Sequence, residues 1–314
     1  MKPNRILDAD GHVIERDVEL FDYLEPPYKG KDTLLGYPFF PTLDGYNRGA
    51  LLARLGLYQH YEISAKVWID ALDKVGIEST VLYPTAEDLH AHRAEYTYGR
   101  HGSPTTRALQ DVMMALEGPQ CAGIGIAPSG LAAISTTLLS VTKAGDHLLV
   151  CDNVYRPSRN FCNGVLARYG VETTYFDPQV GAGIEKLFKP NTKAVLVEAP
   201  GSQTFEMPDI PAIAEVAHAR GALVIDDNTW ATPLFHRSLE LGVDISMQAA
   251  TKYIGGHSDI MFGTISANAK AWPMVAETIR LLGVCAGPDD VFLALRGTRT
   301  LAVRLAQHHR SGLE

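Results

Sequence analysis

Short, uninterrupted runs of apolar residues are the feature of this 314-residue chain that most restricts its fold. Residues 194–197 and 222–225 contain no polar side chain, and a carboxylate follows each run. Apolar runs without alternation are typical of strands that are covered on both faces of a parallel sheet. Segments with helical periodicity separate the runs. The sequence therefore predicts an α/β fold, a mainly parallel sheet with helices on both faces.

The expected elements alternate along most of the chain. We expect strands at residues 121–126, 147–151, 171–176, 194–198, 222–226 and 243–247. We expect helices at residues 107–117, 158–169, 184–188, 210–220, 234–241, 269–282 and 289–314. Ligands of such sheets bind at the carboxyl ends of the strands. Four candidate residues follow strands there: Tyr155, Ser202, Asp227 and Lys252.

Lys252 and Asp227 together indicate a carbonyl cofactor. Lys252 follows an apolar strand, beside the hydroxyl of Thr251, and a lysine in this position can form a Schiff base. Alone, it is more readily a solvated loop lysine. Asp227 ends another apolar run, where an acid can meet a pyridinium nitrogen. Pyridoxal phosphate chemistry needs both, an amine at the aldehyde and an acid at the ring nitrogen.

Three separate segments suit a phosphate group. Ser129 and Gly130 open an expected helix, whose free N–H groups and positive dipole end can bind an anion. Arg100 lies in a glycine-rich loop, and its guanidinium can bind phosphate through two donors. Either segment alone is as readily a helix cap or an exposed turn. With Thr251 they predict a three-sided phosphate site.

Composition and charge exclude several classes of function. The net charge is −8 and the basic residues are scattered, so we expect neither nucleic acid nor a membrane as a partner. The sequence has no membrane-span candidate, and its start lacks the apolar region of a secretion signal. The four cysteines have neither CxxC nor metal-ligand spacing. We therefore expect buried, reduced thiols and a cytoplasmic protein.

The first 85 residues form a separate block with a different character. Asp8, Asp10 and His12 follow one another at alternate positions of an expected strand, which suits a divalent metal. With residues 70–85, this motif resembles the start of the metal-dependent amidohydrolases of the decarboxylase-like branch. That resemblance leaves a metal-dependent hydrolase or decarboxylase as an alternative function. We expect no bound metal, because this trio supplies too few ligands and no later histidines continue the pattern.

Residues 86–314 closely resemble a second family, the Cys/Met-metabolism group of pyridoxal-phosphate enzymes. The string Gln-Ala-Ala-Thr-Lys-Tyr at residues 248–253, followed by Gly-His-Ser-Asp at residues 256–259, favours its β-lyase branch over the γ-synthases and γ-lyases. The remaining matching motifs are Tyr98-Gly-Arg100, Ser129-Gly130, Tyr155, Pro200-Gly201-Ser202 and Asp227-Asn-Thr. The resemblance implies the large domain of a fold type I transferase-like enzyme, preceded by a short α/β fragment at residues 1–85.

The resemblance also assigns roles to residues of this chain. It implies that Lys252 forms the Schiff base with pyridoxal 5'-phosphate, that Asp227 pairs with its ring nitrogen and that Tyr155 stacks on the ring. Lys252 and Tyr155 are then the catalytic residues. The residues implied to complete the cofactor site are Gly130, Leu131, Thr251, Ser202, Tyr98 and Arg100. In the family, the Tyr-Gly-Arg loop reaches the neighbouring subunit's phosphate, so a homodimer or homotetramer is expected.

The implied reaction is the cleavage of a carbon–sulfur bond in a small amino acid. In the β-lyase branch, L-cystathionine undergoes β-elimination to homocysteine, pyruvate and ammonia. The family's small C-terminal domain, with the arginine that binds the substrate carboxylate, has no counterpart in residues 86–314. A chain that binds the cofactor without turnover is therefore a further alternative.

Overall fold

The computed structural model describes residues 7–13, 79–84 and 99–314. Residues 1–98 and residues 99–314 form two compact units. In the first unit, strand β1 (Leu7–Val13) pairs in parallel with strand β2 (Ser79–Pro84). The domain boundary expected between residues 85 and 86 lies outside the described residues.

The second unit is built on a seven-stranded sheet. Its strands are β3 (Gly123–Ala127), β4 (His147–Cys151), β5 (Glu172–Phe176), β6 (Thr192–Glu198), β7 (Leu223–Asp227), β8 (Ile245–Gln248) and β9 (Gly263–Ala267). The spatial order is β3-β9-β8-β7-β6-β4-β5, and only β9 runs antiparallel to its two neighbours. The expectation of a mainly parallel sheet is confirmed.

The helices of the second unit lie before, between and after these strands. They are α1 (Pro104–Glu117), α2 (Gly130–Val141), α3 (Arg156–Phe161), α4 (Ile210–Ala219), α5 (Thr232–Phe235), α6 (Trp272–Leu282), α7 (Pro288–Thr298) and α8 (Leu301–Leu313). Shorter 3-10 segments are Gly99–His101, Gly181–Leu187 and Ser238–Leu241. In the described part of the chain, no helix has both the length and the apolar character needed to cross a membrane.

The core lies on both faces of the sheet. Every residue of β4 and of β7 is buried, so neither face of these central strands contacts solvent. Leu148 and Leu149 point to opposite faces, and both are fully buried. Burial on both faces explains why these strands are continuous apolar runs rather than alternating patterns.

Strand β9 was absent from the sequence-based prediction. Its five residues are buried and pair with β3 on one side and β8 on the other. The sequence Gly-Thr-Ile-Ser-Ala contains a single large apolar side chain, so it lacks the apolar run that identified the other strands. Its antiparallel insertion places Gly263 opposite Ala127, at the edge where the parallel strands end.

Two expected helices are each divided in the structure. Residues 234–241 form the end of α5 and a 3-10 segment, and the hydroxyl of Ser238 donates to Asp226 at the break (2.5 Å). Residues 289–314 form α7 and α8, because Thr300 leaves the helical conformation (φ −112°, ψ 4°). After this break, Leu301 and Leu305 are buried in the core.

Candidate active site

Lys252 lies in a tight turn directly after strand β8. Its backbone N–H donates to the carbonyl of Ala249 (2.9 Å), and its own carbonyl accepts from the N–H of Gly256 (2.7 Å). The side chain is exposed. Within residues 99–314 its amine has no hydrogen-bond or ion-pair partner. The turn thus fixes the backbone and leaves the amine available to a ligand.

The turn at residues 249–256 is called the lysine turn below. Thr251 connects it by hydrogen bonds to the residues that precede β9. Its N–H donates to the carbonyl of Phe262 (3.1 Å), and its hydroxyl oxygen accepts from the N–H of Phe262 (2.9 Å). The hydroxyl also lies 3.1 Å from the carbonyl of Phe262. These contacts hold the side chain of Thr251 at the strand-end edge of the sheet, as the phosphate prediction requires.

Asp227 ends strand β7, the neighbour of β8, and is connected to the lysine turn by hydrogen bonds. Thr229 donates to its Oδ1 through both the N–H (3.1 Å) and the hydroxyl (2.5 Å). The same hydroxyl oxygen accepts from the N–H of Ala249 (2.7 Å), the residue to which Lys252 is bonded. Thr229, which the sequence-based prediction did not single out, therefore couples the acid to the lysine turn.

The second carboxylate oxygen of Asp227 is open to a ligand. Asp227 is 7% exposed, and its Oδ2 accepts no hydrogen bond from the described part of the chain. Burial raises the pKa of Asp227 to about 6. A buried carboxylate with an open oxygen is what a protonated ring nitrogen requires. The adjacent Asp226 faces the other side of the sheet, where Ser238 and His236 lie beside it.

The first turn of α2 lies against the lysine turn. The hydroxyl of Ser129 caps the helix by accepting from the N–H of Ala132 (3.0 Å). The N–H groups of Gly130 and Leu131 have no acceptor among the described residues. A Cβ at Gly130 would lie 2.5 Å from the Cβ of Ala249, so only glycine permits this approach. Free N–H groups at a helix start, beside Lys252, form a suitable phosphate site.

Tyr155 and Ser202 meet at one carboxylate, Glu198, which the sequence-based prediction missed. The N–H of Tyr155 donates to Glu198 Oε2 (2.6 Å), and the hydroxyl of Ser202 donates to Oε1. The ring of Tyr155 is 48% exposed, so one face of it can pack on a ligand. Glu198 itself is buried at the end of β6.

Glu198 and Asp227 are direct neighbours in the parallel pairing of β6 and β7. Burial, followed by the nearby charge of Asp227, raises the pKa of Glu198 to about 8. The signal for Glu198 was present in the sequence, because it follows an apolar run just as Asp227 does. What was missing was the strand order, which places β6 beside β7.

The Tyr98-Gly-Arg100 loop is described only in part. Tyr98 lies outside the described residues. Arg100 lies in the 3-10 segment before α1, is exposed, and directs a guanidinium nitrogen towards the carbonyl of Arg280 (3.5 Å) at the end of α6. A role for Tyr98 and Arg100 at a neighbouring subunit's phosphate stays a prediction.

The three candidate metal ligands lie within β1, and only the backbone of this strand is described. The pairing of β1 with β2 shifts register between Asp8 and Gly11. The expectation that these three residues bind no metal stays a prediction. In the part of the chain that the structure describes, no group of three or more His, Cys, Asp or Glu side chains can hold a metal ion.

The residues at this edge fit pyridoxal phosphate. Lys252 supplies an accessible amine, Asp227 an open and buried carboxylate oxygen, and Tyr155 an accessible aromatic face. The free N–H groups of Gly130 and Leu131 suit its phosphate. Each group follows the carboxyl end of a parallel strand, where ligands of such sheets bind.

Comparisons with known proteins point to the same cofactor. The sequence profile described as "Cys/Met metabolism PLP-dependent enzyme" matches residues 73–314. A putative cystathionine beta-lyase of Rhizobium johnstonii is 54% identical over 236 residues, which are 75% of this chain and 59% of that protein. Cystathionine beta-lyase MetC of Escherichia coli is 44% identical over 222 residues, 70% of this chain and 56% of MetC.

A solved structure matches the same part of the chain. It is that of cystathionine gamma-lyase from Lactobacillus plantarum complexed with L-serine, with a TM-score of 0.66 and 33% identity over 74% of this chain and 61% of that one. The chain thus spans less than two thirds of the length of each of these three proteins.

Proposed function

The chain belongs to the Cys/Met metabolism family of PLP-dependent enzymes, and on this premise we propose that it is a carbon–sulfur lyase. The proposed reaction is β-elimination from L-cystathionine, in which one water is consumed and homocysteine, pyruvate and ammonia are released. Two sequence relatives, a putative cystathionine beta-lyase at 54% identity and cystathionine beta-lyase MetC at 44% identity, support this substrate. It is also the reaction of the β-lyase branch that the motif at residues 248–259 favours.

One structural observation carries the proposal. Asp227 ends strand β7 and Lys252 follows the adjacent parallel strand β8. The hydroxyl of Thr229 donates to the carboxylate of Asp227 and accepts from the N–H of Ala249, at the start of the lysine turn. An exposed amine and a buried acid thereby lie at the same strand-end edge of the sheet. This is the pair of groups that a pyridoxal cofactor needs.

The roles of the residues follow from their positions. When bound, pyridoxal phosphate supplies an electron sink for the carbanion at the substrate Cα. Asp227 Oδ2 accepts a hydrogen bond from the ring nitrogen and keeps a proton there. The amine of Lys252 removes the Cα proton, and the ring of Tyr155 covers one face of the cofactor. The N–H groups of Gly130 and Leu131 hold the phosphate and orient the whole group.

A turnover assay with a matched lysine control tests this proposal. The chain with added pyridoxal phosphate is expected to release pyruvate from L-cystathionine. Lys252→Ala should lower this rate by about 10³-fold, because it removes both the anchor and the base. Lys270→Ala removes another exposed lysine, in the turn after β9, and should leave the rate unchanged. Equal rates for the two variants, or no pyruvate from the unmodified chain, would contradict the proposal.

The identity of the oxo-acid product separates β-elimination from γ-elimination. Cleavage at Cβ yields pyruvate and homocysteine, whereas cleavage at Cγ yields 2-oxobutyrate and cysteine. Chromatography of the products distinguishes them in one experiment. Pyruvate as the main product is the expected result, and 2-oxobutyrate would assign the chain to γ-lyase chemistry instead.

Two further properties belong to the proposal. A homodimer or homotetramer is supported by the Tyr98-Gly-Arg100 motif, whose counterpart in the family reaches a neighbouring subunit. A cytoplasmic location is supported by the four cysteines, all of which are free thiols. Sedimentation of the purified chain measures the first, and fractionation of cells that express it measures the second.

A further inference from the structure

A single buried carboxylate, that of Glu198, contacts two loops that carry expected cofactor-binding residues, the Tyr155 loop and the Ser202 loop. Glu198 accepts from the N–H of Tyr155 through Oε2 (2.6 Å) and from the hydroxyl of Ser202 through Oε1. We propose that Glu198 is a positioning residue, which orients the Tyr155 ring and the Ser202 hydroxyl relative to the bound cofactor. It does so through the length of its side chain and its two hydrogen bonds, and not through its charge. This inference rests on the proposed function.

Tyr155 is held through its backbone: its carbonyl accepts from the N–H groups of Ser158 (2.9 Å) and Arg159 (3.3 Å), and within residues 99–314 no hydrogen bond fixes its ring. It is the residue before α3, its side chain makes no capping hydrogen bond, and its ring is half exposed. The orientation of the ring therefore follows the orientation of the Tyr155 backbone. The 2.6 Å bond from this backbone to Glu198 joins it to the rigid end of β6.

The Ser202 loop needs a similar connection to the sheet. Its residues Gln203 and Phe205 have positive φ angles (70° and 58°), a conformation that costs free energy for residues other than glycine. The side chain of Phe205 is exposed and makes an edge-on contact with the ring of Trp230, which is itself exposed, so little apolar burial holds this part of the loop. The hydroxyl of Ser202 links the loop to Glu198 at the end of β6.

The protonation state of Glu198 indicates that its two contacts depend on the length of the side chain and not on its charge. Burial and the neighbouring Asp227 raise the pKa of Glu198 to about 8, so the neutral carboxyl is favoured near neutral pH. In the neutral carboxyl, Oε2 still accepts from the N–H of Tyr155. An O–H group at Oε1 donates to the Ser202 hydroxyl oxygen, which reverses the direction of that hydrogen bond. Glutamine offers the same pattern, because its NH₂ can donate to the Ser202 hydroxyl oxygen. Aspartate is one methylene shorter and cannot reach both partners.

The experiment compares Glu198→Gln and Glu198→Asp with the same two changes at Glu206. Glu206 lies on the same loop, is exposed, and has its carboxylate bonded to Thr204 instead. Each variant is measured for the dissociation constant of pyridoxal phosphate, for the visible circular dichroism of the bound cofactor, and for kcat and KM of pyruvate release.

Glu198→Asp is expected to weaken cofactor binding and to lower kcat, each by about ten-fold, with KM nearly unchanged and a reduced visible dichroism. Glu198→Gln and both Glu206 variants should match the unmodified chain within about twofold, since they break neither contact. The inference is overturned if Glu198→Asp behaves as the Glu206 variants do, or if Glu198→Gln is as impaired as Glu198→Asp.

A further variant separates this role from folding and from the proposed function. If Glu198→Asp does not fold by far-ultraviolet dichroism, Glu198→Met fills a similar volume without an acceptor, and the same losses are expected of it. An unmodified chain that binds no pyridoxal phosphate overturns both the proposed function and this inference. An active chain with an unimpaired Glu198→Met overturns the inference alone.

Discussion

At the scale of single residues, the site depends on contacts that tolerate no extra atom. Gly130 is the clearest case, because a Cβ there would lie 2.5 Å from the Cβ and 2.8 Å from the Cα of Ala249. Either the helix start or the lysine turn would have to move. Both carry groups that the cofactor requires, so a single methyl group would displace the phosphate donors from Lys252.

Gly130→Ala is therefore expected to weaken binding of pyridoxal phosphate by about ten-fold and to lower the free energy of unfolding by about 1–3 kcal/mol, the usual cost of overpacking. Gly164→Ala is the matched control, because a Cβ at Gly164 has no neighbour within 4 Å. Absorbance titration and urea unfolding measure the two effects. A Gly130→Ala chain that binds the cofactor normally would show that the helix start can shift freely.

The sequence indicated Lys252 and Asp227 as a pair at the strand ends, and their roles at a cofactor stay a prediction. The sequence could not choose among the acids beside them. Asp226 and Asp227 are consecutive, and only the alternation of the strand directs Asp226 away from the site. Glu198 satisfies the same pattern as Asp227. Its importance became visible only when the order of strands placed β6 beside β7.

At the scale of elements, polar side chains of helix α1 and strand β8 form hydrogen bonds with each other. Glu117, the last residue of α1, is fully buried and accepts from the hydroxyl of Ser246 and the amide of Gln248, both at 3.3 Å. Gln248 is the last residue of β8, four residues before Lys252. Helix α1 is therefore joined through Glu117 to the strand that presents the lysine.

Burial raises the pKa of Glu117 from its ordinary 4.5 to about 7. Because the folded pKa exceeds the unfolded one, this group's contribution to stability is complete below pH 4.5 and is lost as the pH rises towards 7. Glu117→Gln cannot titrate. Its free energy of unfolding should fall less steeply over this range than that of the unmodified chain, by roughly 1 kcal/mol per pH unit.

Urea unfolding of the cofactor-free chain at several pH values measures this difference in slope. Glu215→Gln is the control, because Glu215 is exposed on α4 and its replacement should leave the slope unchanged. Parallel pH profiles of the free energy of unfolding for Glu117→Gln and the unmodified chain would show that Glu117 does not bind a proton on folding. The account of the polar contacts between α1 and β8 would then be wrong.

The elements themselves were predictable where an apolar run marked them. Strand β4 was expected at residues 147–151 and is found at His147–Cys151. Strand β9 was missed because Gly-Thr-Ile-Ser-Ala is buried by its neighbours and not by its own apolar content. Helix breaks such as that at Thr300 were missed because they depend on which leucines reach the core, a tertiary property.

At the scale of the whole molecule, the four thiols report on the integrity of the fold. Cys121, Cys151 and Cys162 are buried, and burial raises their pKa values to about 11, 12 and 12. Cys285 is exposed. A thiolate-specific reagent should label one cysteine per native chain rapidly and all four after unfolding. Rapid labelling of the three buried thiols in the native chain would contradict the described core.

The central claim is that Lys252, facing Asp227 across the strand ends, carries pyridoxal phosphate. Borohydride reduction of the cofactor-loaded chain, followed by mass spectrometry of its peptides, tests this claim most directly. We expect a single phosphopyridoxyl group, located on Lys252, in the peptide that follows β8. A label on any other lysine, or no label at all, would contradict the account.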